Sequence, residues 1–299
     1  MQKLIVASEC LANGELTRRE LGRYYVKLHT NIYSRRDVEL DARDLAVAAW
    51  LWSARRGTVA GLSAAALLGS RWVPDDGPAE LLRTFRRSPP GIVVRSDTVG
   101  ADEVSHVGDI ACTAAARTAF DLGRWLPFEE GLIRVDALLN ATGVSVDAVR
   151  KVADRHPGSR NIRRLRQVLE LADGGAESPQ ETRLRLVLIR GGLPKPETQI
   201  RVGRRRVDMG WEDWKVGVEY DGEQHWTDPL QHAGDIERLD YLARAGWTIV
   251  RVSAVHLRTD RAGIVRRAAN ALLERGCAER AVVCAATREM RTTSARWAG

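Results

Sequence analysis

The chain has 299 residues, of which 44% are hydrophobic and 28% charged, a composition typical of a soluble globular protein with a sizeable core. It contains no apolar run near the roughly 18–20 residues of a membrane-spanning helix, which argues against a membrane partner. The opening residues form only a very short apolar stretch interrupted by Ser and Glu, so we expect no signal peptide and a cytoplasmic location. The net charge of +7, carried mostly by arginine, is compatible with a nucleic-acid partner without proving one.

The cysteines have spacings that match no zinc-binding pattern, so we expect scattered free thiols and no disulfides. They are Cys10, Cys112, Cys277 and Cys284.

The beginning of the chain predicts two short helices followed by a β-ribbon. An apolar helix is expected at about residues 2–12, and Thr17 and Glu20 stand at capping-box spacing, which predicts the start of a second helix. Residues 24–35 are rich in Tyr, Val, Ile and Thr and favour a strand or hairpin. This is a winged-helix order, truncated because only about twelve residues precede the turn at Asn13 and Gly14, whereas a full module has more helix before its recognition helix.

The rest of the first half alternates between helices and a few strands. Strands are predicted near 79–85 and 91–97, and helices at 41–56, 63–69, 113–125, 127–141, 145–156 and 159–172. A Gly-rich turn followed by a strong helix start at 173–181 predicts a domain boundary near residue 174.

This N-terminal region, residues 1–173, resembles the regulator half of AbiEi-type antitoxins. The resemblance is carried by 16-LTRREL-21, 28-LHTNIYSR-35 and 61-GLSAAALLGSRW-72. It implies a winged-helix and helical region that either binds DNA or a protein partner, or serves only in packing.

The C-terminal part predicts a smaller α/β domain at residues 174–275. Its order is a helix at 178–192, strands near 198–202, 206–211 and 215–221, a helix at 234–246, a strand at 247–253 and a helix near 258–275. The basic tail at 276–299 has no strong pattern and stays unassigned.

A hairpin between the second and third of these strands would bring acids together. If Trp211 stands opposite Val216, then Asp208 stands opposite Glu219, with Asp221 two residues farther along the same face. Opposed carboxylates destabilise a sheet unless they are protonated or neutralised by a cation. The neighbouring Gly210 and Gly217 are expected to leave room for a ligand, and the acids predict a hard-oxygen site for Mg²⁺ or Mn²⁺.

Two further residues could complete this site. Glu181 lies on the core-facing stripe of its helix and could join the acids, but with Ser178 and Pro179 it also forms an ordinary helix cap. His225 follows the strand closely and could act on a phosphate, or could simply be a loop histidine beside Trp226.

The arginines near the acids are candidates for phosphate contacts. They are Arg204, Arg205, Arg206, Arg238 and Arg251. A solvated turn, a local ion pair between Asp235 and Arg238, and an ion pair of Arg251 with an acid are the plain alternatives.

Taken together, these C-terminal motifs resemble the Vsr-like endonuclease-domain family of the PD-(D/E)xK nucleases. They are Glu181, Asp208, 219-EYDG-222, 225-HW-226 and 235-DIERLDYLARAGWTIVRV-252. The resemblance implies a restriction-endonuclease-like mixed sheet flanked by helices, and metal-dependent hydrolysis of DNA with Asp208, Glu219 and Asp221 as metal ligands. Glu181 and His225 would complete the catalytic set.

One residue departs from the family pattern, because Asp221 stands where the superfamily has lysine. Either His225 or a second metal held by Asp221 would have to replace it. We therefore predict an α/β fold, α+β overall, with a DNA endonuclease or nickase activity. A homodimer would cut both strands and a monomer would nick one. The alternative is a non-catalytic, antitoxin-like DNA-binding regulator built on a nuclease fold.

Overall fold

The computed structural model describes residues 3–83, 88–222 and 229–287, and only the backbone of residues 229–233 and 235. It divides the chain into two compact units, Met1–Gly174 and Gly175–Gly299. Both units combine helices with mixed sheets, so the predicted α/β class, α+β overall, is confirmed. Among the described residues, no helix has the length and apolarity to cross a membrane.

The N-terminal unit carries most of the helices. They are α1 (Ala7–Ala12), α2 (Arg18–Tyr24), α3 (Ala42–Trp52), α4 (Gly61–Leu67), α5 (Ala115–Trp125), α6 (Phe128–Thr142), α7 (Val146–Arg155) and α8 (Ile162–Leu171). The strands are β1 (Leu4–Val6), β2 (Tyr25–His29), β3 (Ile32–Arg35), β4 (Thr58–Val59), β5 (Ala79–Leu82), β6 (Ile92–Arg95), β7 (Val104–Val107) and β8 (Ile110–Thr113).

The start of this unit differs from the predicted helix at 2–12. Residues Leu4–Val6 form a strand that pairs antiparallel with β3, and the helix begins only at Ala7. The predicted hairpin at 24–35 forms as β2 and β3. Leu4–Val6 are apolar and include two β-branched residues, which favours a strand paired with this hairpin over a helix. The capping box of Thr17 and Glu20 is present at the start of α2.

A second sheet in this unit has the order β6-β5-β4-β8-β7. The sequence predicted β5 and β6 but missed β4, β7 and β8. A two-residue strand such as β4 has no detectable periodicity, and it forms because it pairs with both β5 and β8. The hairpin of β7 and β8 had a signal in its Gly108-Asp109 turn, a common pair in tight hairpins.

The C-terminal unit is built around a sheet of order β12-β11-β10-β9. Its strands are β9 (Glu197–Val202), β10 (Arg205–Trp211), β11 (Val216–Asp221) and β12 (Thr248–Ser253). Its helices are α9 (Pro179–Arg190), α10 (Pro229–Arg244), α11 (Ala254–Thr259), α12 (Arg261–Glu274) and α13 (Arg280–Thr287). The predicted single helix near 258–275 is divided because Asp260 caps α12, and the unassigned tail contributes α13.

Two apolar clusters cover the faces of this sheet. One contains Met209, Val218 and Val250 with α9 and α12, and the other contains Val207, Leu242 and Ile249. Since Leu242 belongs to α10, that helix covers the second face. Strand β11 therefore lies between β10 and β12 in a sheet that is covered on both faces. Its odd-numbered residues face α10.

Candidate active site

The hairpin of β10 and β11 has the predicted register. Trp211 pairs with Val216, Gly210 with Gly217 and Met209 with Val218, antiparallel. The paired residues end at Met209 and Val218. Beyond them, the main-chain N–H of Tyr220 donates to Oδ2 of Asp208 at 3.0 Å, and the charge of Glu219 acts on Asp208. The Asp208 side chain therefore reaches the strand that carries Glu219, and the direct pairing of Asp208 with Glu219 stays a prediction.

The alternation along β10 is interrupted at Asp208, although a regular strand would place Val207 and Met209 on the same face. These residues are two apart, yet Val207 packs with Leu242 and Met209 with the α9 and α12 side. Gln199, next to the Val207–Ile200 pair on β9, has a φ of +52° that a regular strand does not adopt. Strand β9 is therefore irregular opposite Asp208, at the point where period-two alternation along β10 fails.

The sequence predicted that Gly210 and Gly217 leave room for a ligand. The structure shows instead that both glycines are closely packed. A Cβ on Gly217 would lie 2.6 Å from Cγ1 of Val207 and 2.7 Å from Cδ1 of Ile249. A Cβ on Gly210 would lie 2.2 Å from the carbonyl oxygen of Val216. The glycines permit close packing of strands and core.

Glu219 is 3% exposed and is held by an arginine from α10. Nη1 of Arg238 lies 2.5 Å from Oε1 of Glu219, and Nη2 lies 2.8 Å from Oε2. Both carboxylate oxygens thus accept from one guanidinium, a strong bidentate arrangement. The proposed local partner of Arg238, the side chain of Asp235, lies outside the described residues.

Asp208 is largely buried, with two other carboxylates in electrostatic range. Burial raises its pKa to about 7, and the charges of Glu181 and Glu219 act in the same direction. The N–H of Tyr220 and the charge of Arg238 act in the opposite direction. A carboxyl in this state exchanges its proton near neutral pH and gains most from a nearby cation.

Glu181 takes part in the cap of its helix, which the sequence offered as the alternative to a role among the acids. Ser178 Oγ donates to its Oε1 at 2.8 Å, the N–H of Glu177 donates to its Oε2 at 2.9 Å, and its own N–H donates to Ser178 Oγ at 3.2 Å. Burial raises its pKa. The helix cap therefore places a buried carboxyl within electrostatic range of Asp208.

The other predicted site residues are held by different partners or lie apart from the acids. Asp221 ends β11, and its Oδ2 accepts from Nη2 of Arg251 at 2.7 Å. Arg204, Arg205 and Arg206 are exposed at the turn between β9 and β10, and Arg206 pairs with Glu177 at 2.9 Å. His225 lies outside the described residues.

The pairing of Arg238 with Glu219 is the feature that sequence reasoning missed. Its signal was the spacing of Arg238 and Leu242, which are four residues apart and therefore share a face of α10. Leu242 is fully buried. The arginine on the same helical face is thus directed towards the sheet.

The donor set suits a hard divalent cation, which needs only one or two protein carboxylates and takes its remaining ligands from water and substrate phosphate. Asp208 and Glu219 provide such a pair. Within the described residues, however, no three His, Cys, Asp or Glu side chains are grouped to hold a metal ion. The predicted third ligand, Asp221, faces Arg251 instead.

Comparison with known proteins supports a restriction-endonuclease-like domain at this position. The restriction-endonuclease-like family model REase_MTES_1575 matches residues 182–272, which span the sheet and its helices. Such a domain suggests nuclease activity, DNA as the substrate and the use of a divalent metal.

Two proteins of Mycobacterium tuberculosis are similar over a longer stretch. They are the uncharacterized proteins Rv2248 of strain H37Rv and MT2308 of strain CDC 1551 / Oshkosh. Each is 31% identical over 191 residues, which are 62% of this chain and 70% of the relative. No solved structure matches the chain.

Proposed function

The chain belongs to the protein family of the uncharacterized Mycobacterium tuberculosis protein Rv2248, and from its restriction-endonuclease-like domain we propose that it is a divalent-metal-dependent DNA endonuclease or nickase. One observation carries the proposal. The Asp208 side chain accepts from the N–H of Tyr220, next to Glu219 on β11, and burial together with the charges of Glu181 and Glu219 raises the pKa of Asp208 to about 7. Crowded buried carboxylates cost stability unless a cation offsets them, which is why such clusters mark functional sites.

Asp208 and Glu219 would hold Mg²⁺ or Mn²⁺ in this proposal. The bound cation would offset the charge of the scissile phosphate and make a nearby water more acidic. Asp208 would exchange its proton near neutral pH, and the cap at Ser178 would hold Glu181 beside it. Asp221 would join as a ligand only after leaving Arg251, and His225 remains the candidate acid–base residue beyond the strand.

The arginines would bind the DNA backbone. Arg204 and Arg205 are exposed at the β9–β10 turn, and guanidinium groups bind phosphate oxygens in a bidentate manner. We further propose that the domain is Vsr-like and that the AbiEi-like N-terminal unit contacts DNA or a protein partner. A homodimer would cleave both strands, and a monomer would nick.

The test is incubation of plasmid, branched and single-stranded DNA with Mg²⁺ or Mn²⁺. We expect Asp208→Ala and Glu219→Ala to lower cleavage at least about a hundredfold, because the charge stabilisation of the transition state is lost. Glu212→Ala removes an exposed acid from the same hairpin and should cleave like wild type. Equal cleavage by all four proteins would exclude this site.

A second function is favoured by the arginine pairs. Glu219 and Asp221 are both bound by guanidinium groups, an arrangement that would also suit a non-catalytic DNA-binding regulator. In that case every protein would leave all substrates intact while wild type retained DNA binding in a gel-shift measurement.

A further inference from the structure

Arg238 donates to both carboxylate oxygens of Glu219, the atoms with which Glu219 would bind a metal ion. Its Nη1 donates to Oε1 at 2.5 Å and its Nη2 donates to Oε2 at 2.8 Å. The side chain of Glu219 is only 5% exposed, so few other directions of approach are open. A divalent cation that binds Glu219 must therefore share or displace this arginine.

Arg238 lies partly at the surface of the domain. Its side chain is 25% exposed, whereas Leu242, one turn later on α10, is fully buried. The helix is thus anchored by Leu242, while the Arg238 side chain is partly exposed to solvent. Rotation of a long arginine side chain could carry its charge outward without unfolding the helix.

Charge balance determines when this movement is favourable. A guanidinium and a divalent cation repel each other strongly in a site with little water. Without another anion, the arginine keeps Glu219 neutralised and weakens cation binding. A DNA phosphate provides the missing negative charge, and guanidinium binds phosphate with the same bidentate geometry as it binds a carboxylate.

We propose that Arg238 exchanges partners, binding Glu219 when DNA is absent and a DNA phosphate when a divalent cation takes its place. The inference rests on the proposed function, since it concerns the same acid site. It makes Arg238 a positioning residue that couples cation binding to DNA binding. Because such coupling is reciprocal, the cation must strengthen DNA binding by the same factor.

The experiment measures Mn²⁺ binding by electron paramagnetic resonance, with and without a short phosphorothioate DNA duplex that resists hydrolysis. In wild type, DNA should raise Mn²⁺ affinity about tenfold. In Arg238→Gln, Mn²⁺ should bind about tenfold more tightly without DNA, and DNA should add little. A purely structural partner of Glu219 would have the opposite effect, because its loss would loosen the site.

Two further variants make the result interpretable. Arg244→Gln removes an exposed arginine from the same helix and should behave like wild type. Arg238→Lys keeps the positive charge but cannot fork onto both oxygens, so it should give an intermediate affinity and serves if Arg238→Gln does not fold.

The outcomes separate the exchange from the proposed function. If wild type binds Mn²⁺ with DNA, and neither Arg238 variant binds it more tightly without DNA, the exchange is overturned and the metal site stands. If wild type binds no Mn²⁺ even with DNA, or Glu219→Gln binds it as wild type does, the metal site itself is excluded and the exchange with it.

Discussion

Buried charged side chains in both units are held by opposite charges. In the N-terminal unit, Glu103 is 3% exposed and accepts from Arg117, from Arg155 at 3.0 Å and from Nε2 of His156 at 2.8 Å. Arg117 also donates to Asp121 at 3.0 Å. Glu219 in the C-terminal unit has the same dependence on Arg238. At each site, removal of one partner leaves the others with less compensation for a buried charge.

The stability of the N-terminal unit should depend on the ionisation of Glu103. Burial alone would raise the pKa of Glu103, but hydrogen bonds from His156 and Arg117 outweigh it and lower that pKa from 4.5 to about 2. A lowered carboxyl pKa stabilises the fold above pH 4.5, and this stabilisation is lost as pH falls towards 2. Glu103→Gln should cost about 3–5 kcal/mol at neutral pH. It should also flatten the acid-induced loss of stability, measured by urea unfolding at several pH values.

Asp102→Asn is the matched control for this prediction. The Asp102 side chain is 67% exposed and pairs with Arg155 on the surface, so the change should alter stability little. A Glu103→Gln protein with the same pH slope as wild type would contradict the role given to Glu103.

Among the elements, the β10–β11 hairpin contributes most to the candidate site. Its register followed from matching Trp211 with Val216 across a short loop, and the paired strands agree with it. The side-chain directions did not all follow, because Val207 turns to the α10 side where β9 is distorted at Gln199. Pairing along a hairpin is local, whereas a distortion depends on the neighbouring strand.

The hairpin should not tolerate a side chain at Gly210. Its Cβ would lie 2.2 Å from the carbonyl oxygen of Val216 and 2.9 Å from Cα of Gly217, so the paired backbones would have to separate. We expect Gly210→Ala to destabilise the protein by about 3 kcal/mol, measured by urea unfolding. Gly234→Ala is the control, because a Cβ there meets nothing within 4 Å and lies in helix α10. A similar free energy of unfolding for both variants would be inconsistent with this packing.

At the scale of the whole molecule, each compact unit has its own sheets and apolar clusters. The C-terminal unit, Gly175–Gly299, contains the β9–β12 sheet with clusters on both faces. The N-terminal unit, Met1–Gly174, has a cluster around Trp50, Leu81 and Ile92. A core of its own is the main requirement for independent folding.

Residues 175–299 should therefore fold without the N-terminal unit. We expect the fragment to unfold cooperatively on heating, followed by circular dichroism, and to give dispersed amide signals in an NMR spectrum. The fragment 1–174 provides the complementary measurement. Aggregation or loss of cooperative unfolding in 175–299 would show that its core needs the rest of the chain.

The sequence by itself determined the predicted α/β class, the principal helices and the hairpin register that pairs Trp211 with Val216 and Gly210 with Gly217. These features depend on periodicity, capping residues and pairing between neighbours in the chain, all of which are written in short stretches. Only the tertiary structure decided that β1 and β4 are strands, that the glycines serve packing and that Arg238 binds Glu219. Each of these depends on contacts between segments that are far apart in the chain. A local sequence pattern does not predict which side chains such contacts bury or which charges they bring together.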